Sequence, residues 1–412
     1  MLYYFRISPR RSKVCDCVTD PVIIVGAGLG GLRAAESLRA AGYRDGIVVI
    51  GDEPHLPYNR PPLSKEALAG GVRVEDLHFR RRDAIGDVEW RLGVPVVASD
   101  LTERTVTLVD GQTLAFRGLV IASGIRPRQL PIPGPEAGRV LLRNADDAAH
   151  LRDRLVSGER LAILGSGFIG CEVAATARAL GVDVDVIALD DEPMIRPLGS
   201  DLGAAMKRHH EEHGVRFHLG RTITEFLGDD EITGVRLDDR TDVPATVVLE
   251  AVGSVPNIEW LEGNGLDLSD GVLVDESLRV VGSPAPAVAV GDIARHPNAL
   301  FPFGPSRIEH WNMPTELGKH AGVTLAKALD DAGTKTTPEP FSALPSFWSD
   351  QYDVSLQSFG MPGLGTPTVV EGELDGACIV EYHRGDDLVG VVGVNRSKDL
   401  MPYRKQMLAR QP

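Results

Sequence analysis

Two glycine clusters, Gly26-Ala27-Gly28-Leu29-Gly30-Gly31 and Gly165-Ser166-Gly167-Phe168-Ile169-Gly170, have the spacing with which a chain grips a pyrophosphate. The first glycine permits a tight turn out of a strand, the second lets backbone approach the phosphates, and the third lets helix pack on strand. The anion then rests on a helix N-terminus, where unpaired N–H groups and the helix dipole favour negative charge. Such a pattern is loose by itself, and its context decides what it is worth. Here each cluster is entered from an apolar run, 22–25 or 161–164, and leads into helical apolar spacing, 29–41 or 169–180. Two bound dinucleotides are the chemistry this implies.

The elements around them repeat. A second apolar run at 47–50 completes a strand-helix-strand unit and ends in Asp52-Glu53, about 20 residues past the glycines, where a carboxylate accepts hydrogen bonds from a ribose diol. The run 182–189 does the same for the second unit, so a duplicated architecture is expected. Further strands fall at 119–124, 247–252 and 287–290, and the proline-punctuated stretch 126–134 reads as a linker. Beyond about residue 338 the pattern changes to alternating strands at 355–359, 377–382 and 388–394, closed by a helix over 398–409. The expected fold is α/β: two Rossmann-like dinucleotide-binding domains plus a C-terminal α+β domain. Residues 1–20 read as a disordered leader, 21–130 with 254–330 as one discontinuous domain, 131–253 as the second and 331–412 as the third.

Composition narrows the class. With 412 residues, 43% of them hydrophobic, the chain can bury large cores, and its formal charge of -15 disfavours nucleic acid, whose phosphates need a basic surface. No apolar run approaches the roughly 20 residues that span a bilayer, so no membrane partner is expected. The four cysteines, Cys15, Cys17, Cys171 and Cys378, form no CxxC pair and no metal-ligand set, which points to the cytoplasm and to no bound metal. Arg10-Arg11-Ser12-Lys13 reads as a solvated basic tail.

Two dinucleotides in one chain suggest electron passage from one to the other, the logic of a flavoprotein fed by a pyridine nucleotide. Both fingerprints, Ala122-Ser123-Gly124 and Ala289-Val290-Gly291-Asp292-Ile293-Ala294 resemble flavoproteins of the glutathione reductase type. Where dithiol reductases of that type carry a CxxxxC pair, this chain has Pro57-Tyr58-Asn59-Arg60-Pro61-Pro62-Leu63-Ser64-Lys65-Glu66, without cysteine. That stretch, with Arg307-Ile308-Glu309-His310-Trp311, Phe347-Trp348-Ser349-Asp350-Gln351-Tyr352 and Val394-Asn395-Arg396, resembles the oxygenase-coupled NAD(H)-dependent ferredoxin reductases.

The resemblance implies roles. FAD would lie on Gly26, Gly28 and Gly30, with Asp52 or Glu53 at its ribose, Val96 at its adenine, Asp292 at its ribitol chain, and Arg60, Ala122, Arg143 and Trp311 around the flavin. NADH would use Gly165, Gly167, Phe168, Ile169, Gly170 and Gly253. The ribose glutamate expected there falls on Ala188, leaving Asp190 as the nearest acid and favouring NADH over NADPH. Lys65 and Glu172 would face each other beside the reactive flavin nitrogen as the catalytic pair, and the helix beginning near Pro314 would point its positive end at the same place. Hydride would pass from NADH to FAD and single electrons to a [2Fe-2S] ferredoxin serving a cytochrome P450 or dioxygenase. Arg80 and Lys319 are the candidate docking residues, because an acidic reductase needs a local basic patch.

Three other readings compete. Rubredoxin could replace ferredoxin as acceptor. A disulfide- or peroxide-reducing flavoenzyme would need a thiolate, for which Cys171 is the one cysteine near a fingerprint. A flavoprotein resembling apoptosis-inducing factor would respond to NADH by changing shape.

Overall fold

The computed structural model describes residues 20–155, 158–330 and 339–409. The leader, with Cys15, Cys17 and the basic tail, lies outside the described residues.

In the first parallel sheet Val22–Val25 is central, flanked by Ile47–Ile50 and then Glu89–Arg91 on one side, and by Gly118–Ile121 and then Ala287–Ala289 on the other. The three inner strands are buried at every residue, which is why they read as unbroken apolar runs. Helices Leu29–Ala40 and Met313–Ala328 pack closely on each other. A Cβ added at Gly322 would lie 2.5 Å from the Ser37 Cβ, so only glycine allows that approach.

The second parallel sheet repeats this winding. Arg160–Leu164 is central, with Asp183–Ala188 and Arg216–Leu219 on one side and Val247–Glu250 and Arg139–Val140 on the other. Each sheet also has its own three-stranded antiparallel meander, spanning residues 96–115 in the first unit and 223–244 in the second. The duplication thus extends past the strand-helix-strand unit seen in sequence. The stretch 126–134 is not a plain linker: Ile125–Pro127 pairs antiparallel with Ser254–Pro256, so the chain enters and leaves the second unit through a two-stranded ribbon.

The C-terminal sheet is antiparallel, in the order Ser346–Gln351, Val354–Gly360, Asp387–Val394, Cys378–Arg384, Thr366–Gly372. Its first strand turns Phe347, Ser349 and Gln351 inward while Asp350 is exposed. A short 3-10 turn, Ser397–Leu400, precedes the closing helix Met401–Leu408. Among the described residues no helix is long and apolar enough to cross a membrane.

Candidate functional site

The two glycine loops have nearly superposable local demands. Gly26 has φ +119° and a Cβ there would lie 2.0 Å from the Ala122 carbonyl oxygen; Gly165 has φ +106° and would meet the Ala251 oxygen at 2.3 Å. Gly31 and Gly170 press on the carbonyls of Gly26 and Gly165, at 2.1 and 2.3 Å from a built Cβ. Gly28 and Gly167 differ: nothing lies within 4 Å, so the space above each is open to a ligand. Helices Leu29–Ala40 and Phe168–Ala179 start there without a side-chain cap or a first-turn acid, leaving their N–H groups for an anion. Gly31 is the counterpart of Gly170, while Gly30 faces Val290, Gly291 and Pro314, where helix Met313–Ala328 begins.

Around the first loop the polar groups are wired together. Glu53 accepts from Tyr58 Oη at 2.5 Å and pairs with Arg60, which donates to the Arg143 carbonyl at 2.7 Å. Arg143 Nη2 lies 3.5 Å from Asp292 Oδ2. Burial pushes the Asp292 carboxyl up and Arg143 pulls it back; burial, with repulsion from Arg60, lowers Arg143. Asp52 is exposed and accepts the Glu53 N–H at 3.1 Å, so of the two acids offered to a ribose it is the open one. Val96 starts the edge strand of the first meander, and Ala122 closes its backbone over Gly26.

Lys65 and Glu172 meet. Lys65 follows the proline-stiffened turn Pro61–Ser64, Glu172 sits early in helix Phe168–Ala179, and Lys65 Nζ is 2.6 Å from Glu172 Oε2. Ser64 Oγ and Ser349 Oγ each donate to the Glu172 carboxylate at 2.6 Å. One ammonium and two hydroxyls thus satisfy an acid that is only 6% exposed. Behind Ser349 the chain continues: Gln351 Nε2 donates to Ser349 Oγ at 2.9 Å, and His210 Nε2 donates to Gln351 Oε1 at 2.7 Å. Burial pushes His210 down to about 4. Sequence reasoning gave Ser64, Ser349 and Gln351 no role, although two polar residues at the inward positions of an alternating strand were the available signal.

Trp311 Nε1 donates to Asn59 Oδ1 at 3.1 Å, and its ring is 37% exposed, edge-on to Trp348 at 5.2 Å and tilted to Phe79 at 6.5 Å. Arg80 and Lys319 are exposed, Lys319 pairing with Glu316 at 2.8 Å. Arg33, not singled out in the sequence, lies 5.7 Å over the Phe79 ring and pairs with Glu36 at 2.8 Å.

The second loop has a different rim. Ala188 is buried, Leu189 is 73% and Ile169 48% exposed, and Asp190 is held only loosely, 3.7 Å from Arg196. Phe168 packs on Phe347 at 4.9 Å, and Gly253, with φ +101°, faces open space. Cys171 is fully buried and donates to the Ser166 carbonyl at 3.5 Å; burial and the neighbouring Glu172 push its thiol up, away from thiolate chemistry.

Two phosphate-binding loops of one winding, with a cation and a buried carboxylate between them, define a pyridine-nucleotide-linked oxidoreductase. The chain belongs to that family: residues 20–316 match the model of the pyridine nucleotide-disulphide oxidoreductases, and residues 346–412 the reductase C-terminal model. It is 34% identical over 404 residues to rhodocoxin reductase of Rhodococcus erythropolis, covering 95% of this chain and 90% of that one. It is 37% identical to the ferredoxin–NAD(+) reductase component of the anthranilate 1,2-dioxygenase system of Burkholderia cepacia, covering 95% and 94%. The fold matches the reductase in the covalent putidaredoxin reductase–putidaredoxin complex with a TM-score of 0.87 at 31% identity, over 95% of this chain and 93% of that one.

Proposed function

We propose that this chain is an NADH-dependent ferredoxin reductase with FAD as its resident cofactor. The observation that carries this is the Lys65–Glu172 pair, clamped at 2.6 Å between the two glycine loops where a disulfide reductase would need its dithiol. FAD, when bound, accepts a hydride and releases the electrons one at a time. Gly26, Gly28 and Gly30 would hold its pyrophosphate, Asp52 its ribose, Val96 its adenine, and Asp292 with Arg143 its ribitol side. The open space over Gly28 and the uncapped helix behind it fit that group. NADH would bind over Gly167, with Asp190 at its ribose and Gly253 beneath its nicotinamide end. Residues 21–130 and 254–330 would form the flavin domain, 131–253 the nicotinamide domain and 331–412 the C-terminal domain.

Each side chain then has work of its own. Lys65 sets a fixed positive charge where negative charge develops, at no cost of reorganisation. Glu172 keeps that ammonium in place, and Trp311 closes the site toward the surface bearing Arg33, Arg80 and Lys319. Those three cations offer a local attraction for an acidic [2Fe-2S] ferredoxin, effective within a Debye length of about 8–10 Å despite the net charge of -15. Such a ferredoxin would feed a cytochrome P450 or a dioxygenase.

Purified protein, NADH and panels of ferredoxins and rubredoxins, with cytochrome c reduction as readout, test the reading. A [2Fe-2S] ferredoxin should support turnover and rubredoxin should not; turnover with rubredoxin alone overturns it. Arg80→Glu with Lys319→Glu should lower kcat/KM for ferredoxin by about tenfold or more, chiefly through the association rate, and spare NADH–ferricyanide activity. Equal loss of both activities contradicts the docking role.

A further inference from the structure

Three ligand-type side chains converge two residues beyond Gln351, where helix Ser200–Glu212 meets the turn between strands Ser346–Gln351 and Val354–Gly360. His209 and His213 are one helical turn apart and share a face. Asp353 reaches them from the turn. One donor atom from each, imidazole nitrogen or carboxylate oxygen, falls within a 4.8 Å span. His209 Nε2 is buried and lies 3.0 Å from Asp353 Oδ1, yet the pair lacks the alignment of a hydrogen bond. No hydrogen bond uses that nitrogen, which leaves it available to a cation.

The surroundings prepare His213 as well. Its Nδ1 is 2.8 Å from the His209 carbonyl oxygen, which can only accept, so the proton is on Nδ1 and the Nε2 lone pair is free. The Tyr352 ring stacks on it at 3.8 Å and 16°, and meets His209 and His210 edge-on. Tyr352 itself has φ +55°, a left-handed conformation in a residue that rarely takes it, and this places Asp353 under the helix.

We propose that His209, His213 and Asp353 form a zinc site joining the nicotinamide domain to the C-terminal sheet. Two imidazoles and one carboxylate suit Zn(II), with water completing a tetrahedron. Zinc has no redox chemistry, so its effect is mechanical. It pins the turn whose preceding residues, Gln351 and Ser349, run to Glu172. His209 and His213 stand four apart in the sequence, but Asp353 is 140 residues from His213 and joins them only through the fold.

The test uses untagged, FAD-loaded protein, stripped with chelator and titrated with zinc chloride by calorimetry. One Zn(II) per chain should bind. Asp353→Asn and His213→Ala should each weaken binding by more than the roughly 10–100-fold that loss of a second-shell partner costs. Asp353 is 81% exposed, so its substitution tests the ligand without disturbing the core. Bound Co(II) should show the visible bands of a four-coordinate site in the parent and lose them in both variants. No stoichiometric binding, or equal affinity in parent and variants, overturns the proposal.

Discussion

The two glycine loops are built alike and furnished differently. In both, a first glycine turns at positive φ against a carbonyl, and the third packs on the first. Around the first loop Glu53, Tyr58, Arg60, Arg143 and Asp292 form a connected polar shell, as a resident cofactor with many polar atoms requires. The second is rimmed by exposed Leu189 and Ile169, with one loosely held acid. Such a shelf suits a substrate that must arrive and leave. Winding therefore says that a dinucleotide binds, and the rim says whether it stays.

The largest effects should come from the shared part. Gly26→Ala combines backbone strain with a carbonyl clash, and should cost about 3 kcal/mol or more of stability, read as a lowered urea midpoint and loss of FAD. Gly28→Ala, with nothing in the way, should leave the midpoint unchanged and weaken FAD alone. Equal destabilisation by both would break the distinction between packing and ligand glycines.

Next comes the carboxylate between the loops. Ser349→Ala removes one of the two hydroxyls on Glu172, and a hydrogen bond to a charged group is worth about 1.5–3 kcal/mol, so reduction of the flavin by NADH should slow about 10–100-fold with FAD retained. Ser349→Thr should restore most of the rate. An unchanged rate in stopped-flow measurements would remove Ser349 from the site.

The far end of the same chain predicts acid sensitivity. His210 is held near 4 when folded against an ordinary 6.5, so the unfolded state takes up the proton first as pH falls. The stability contribution is complete above about pH 6.5 and drains as pH drops toward 4, by about 2 kcal/mol at pH 5. Half-buried His310, pushed down to about 4 by desolvation, adds in the same direction. His210→Gln should flatten the dependence of the urea midpoint on pH between 7 and 5. The smallest effect belongs to the open rim: Asp190→Ala should raise KM for NADH about fivefold with kcat unchanged, the mark of lost uniform binding.

Much of this was legible in the residues. The apolar runs and glycine spacings marked both parallel units, and the resemblance carried by the cysteine-free stretch around Lys65 implied Glu172 as its partner. Contacts that depend on distant chain segments were not legible. Ser349 lies 177 residues from Glu172, and only its inward place on an alternating strand marked it. Arg33 meets Phe79 only because the fold brings their segments together. That Gly31 packs on the Gly26 carbonyl as Gly170 packs on that of Gly165 becomes visible only in the fold.

Gly167 is exposed, and a side chain there would enter the open space over the second loop. In Gly167→Val, mixed anaerobically with NADH in a stopped-flow instrument, one FAD per chain should remain bound while its bleaching slows on the order of 100-fold, since the substrate is displaced from its reacting position. Loss of FAD from this variant, or bleaching at the parent rate, would contradict the assignment of FAD to the first loop and NADH to the second.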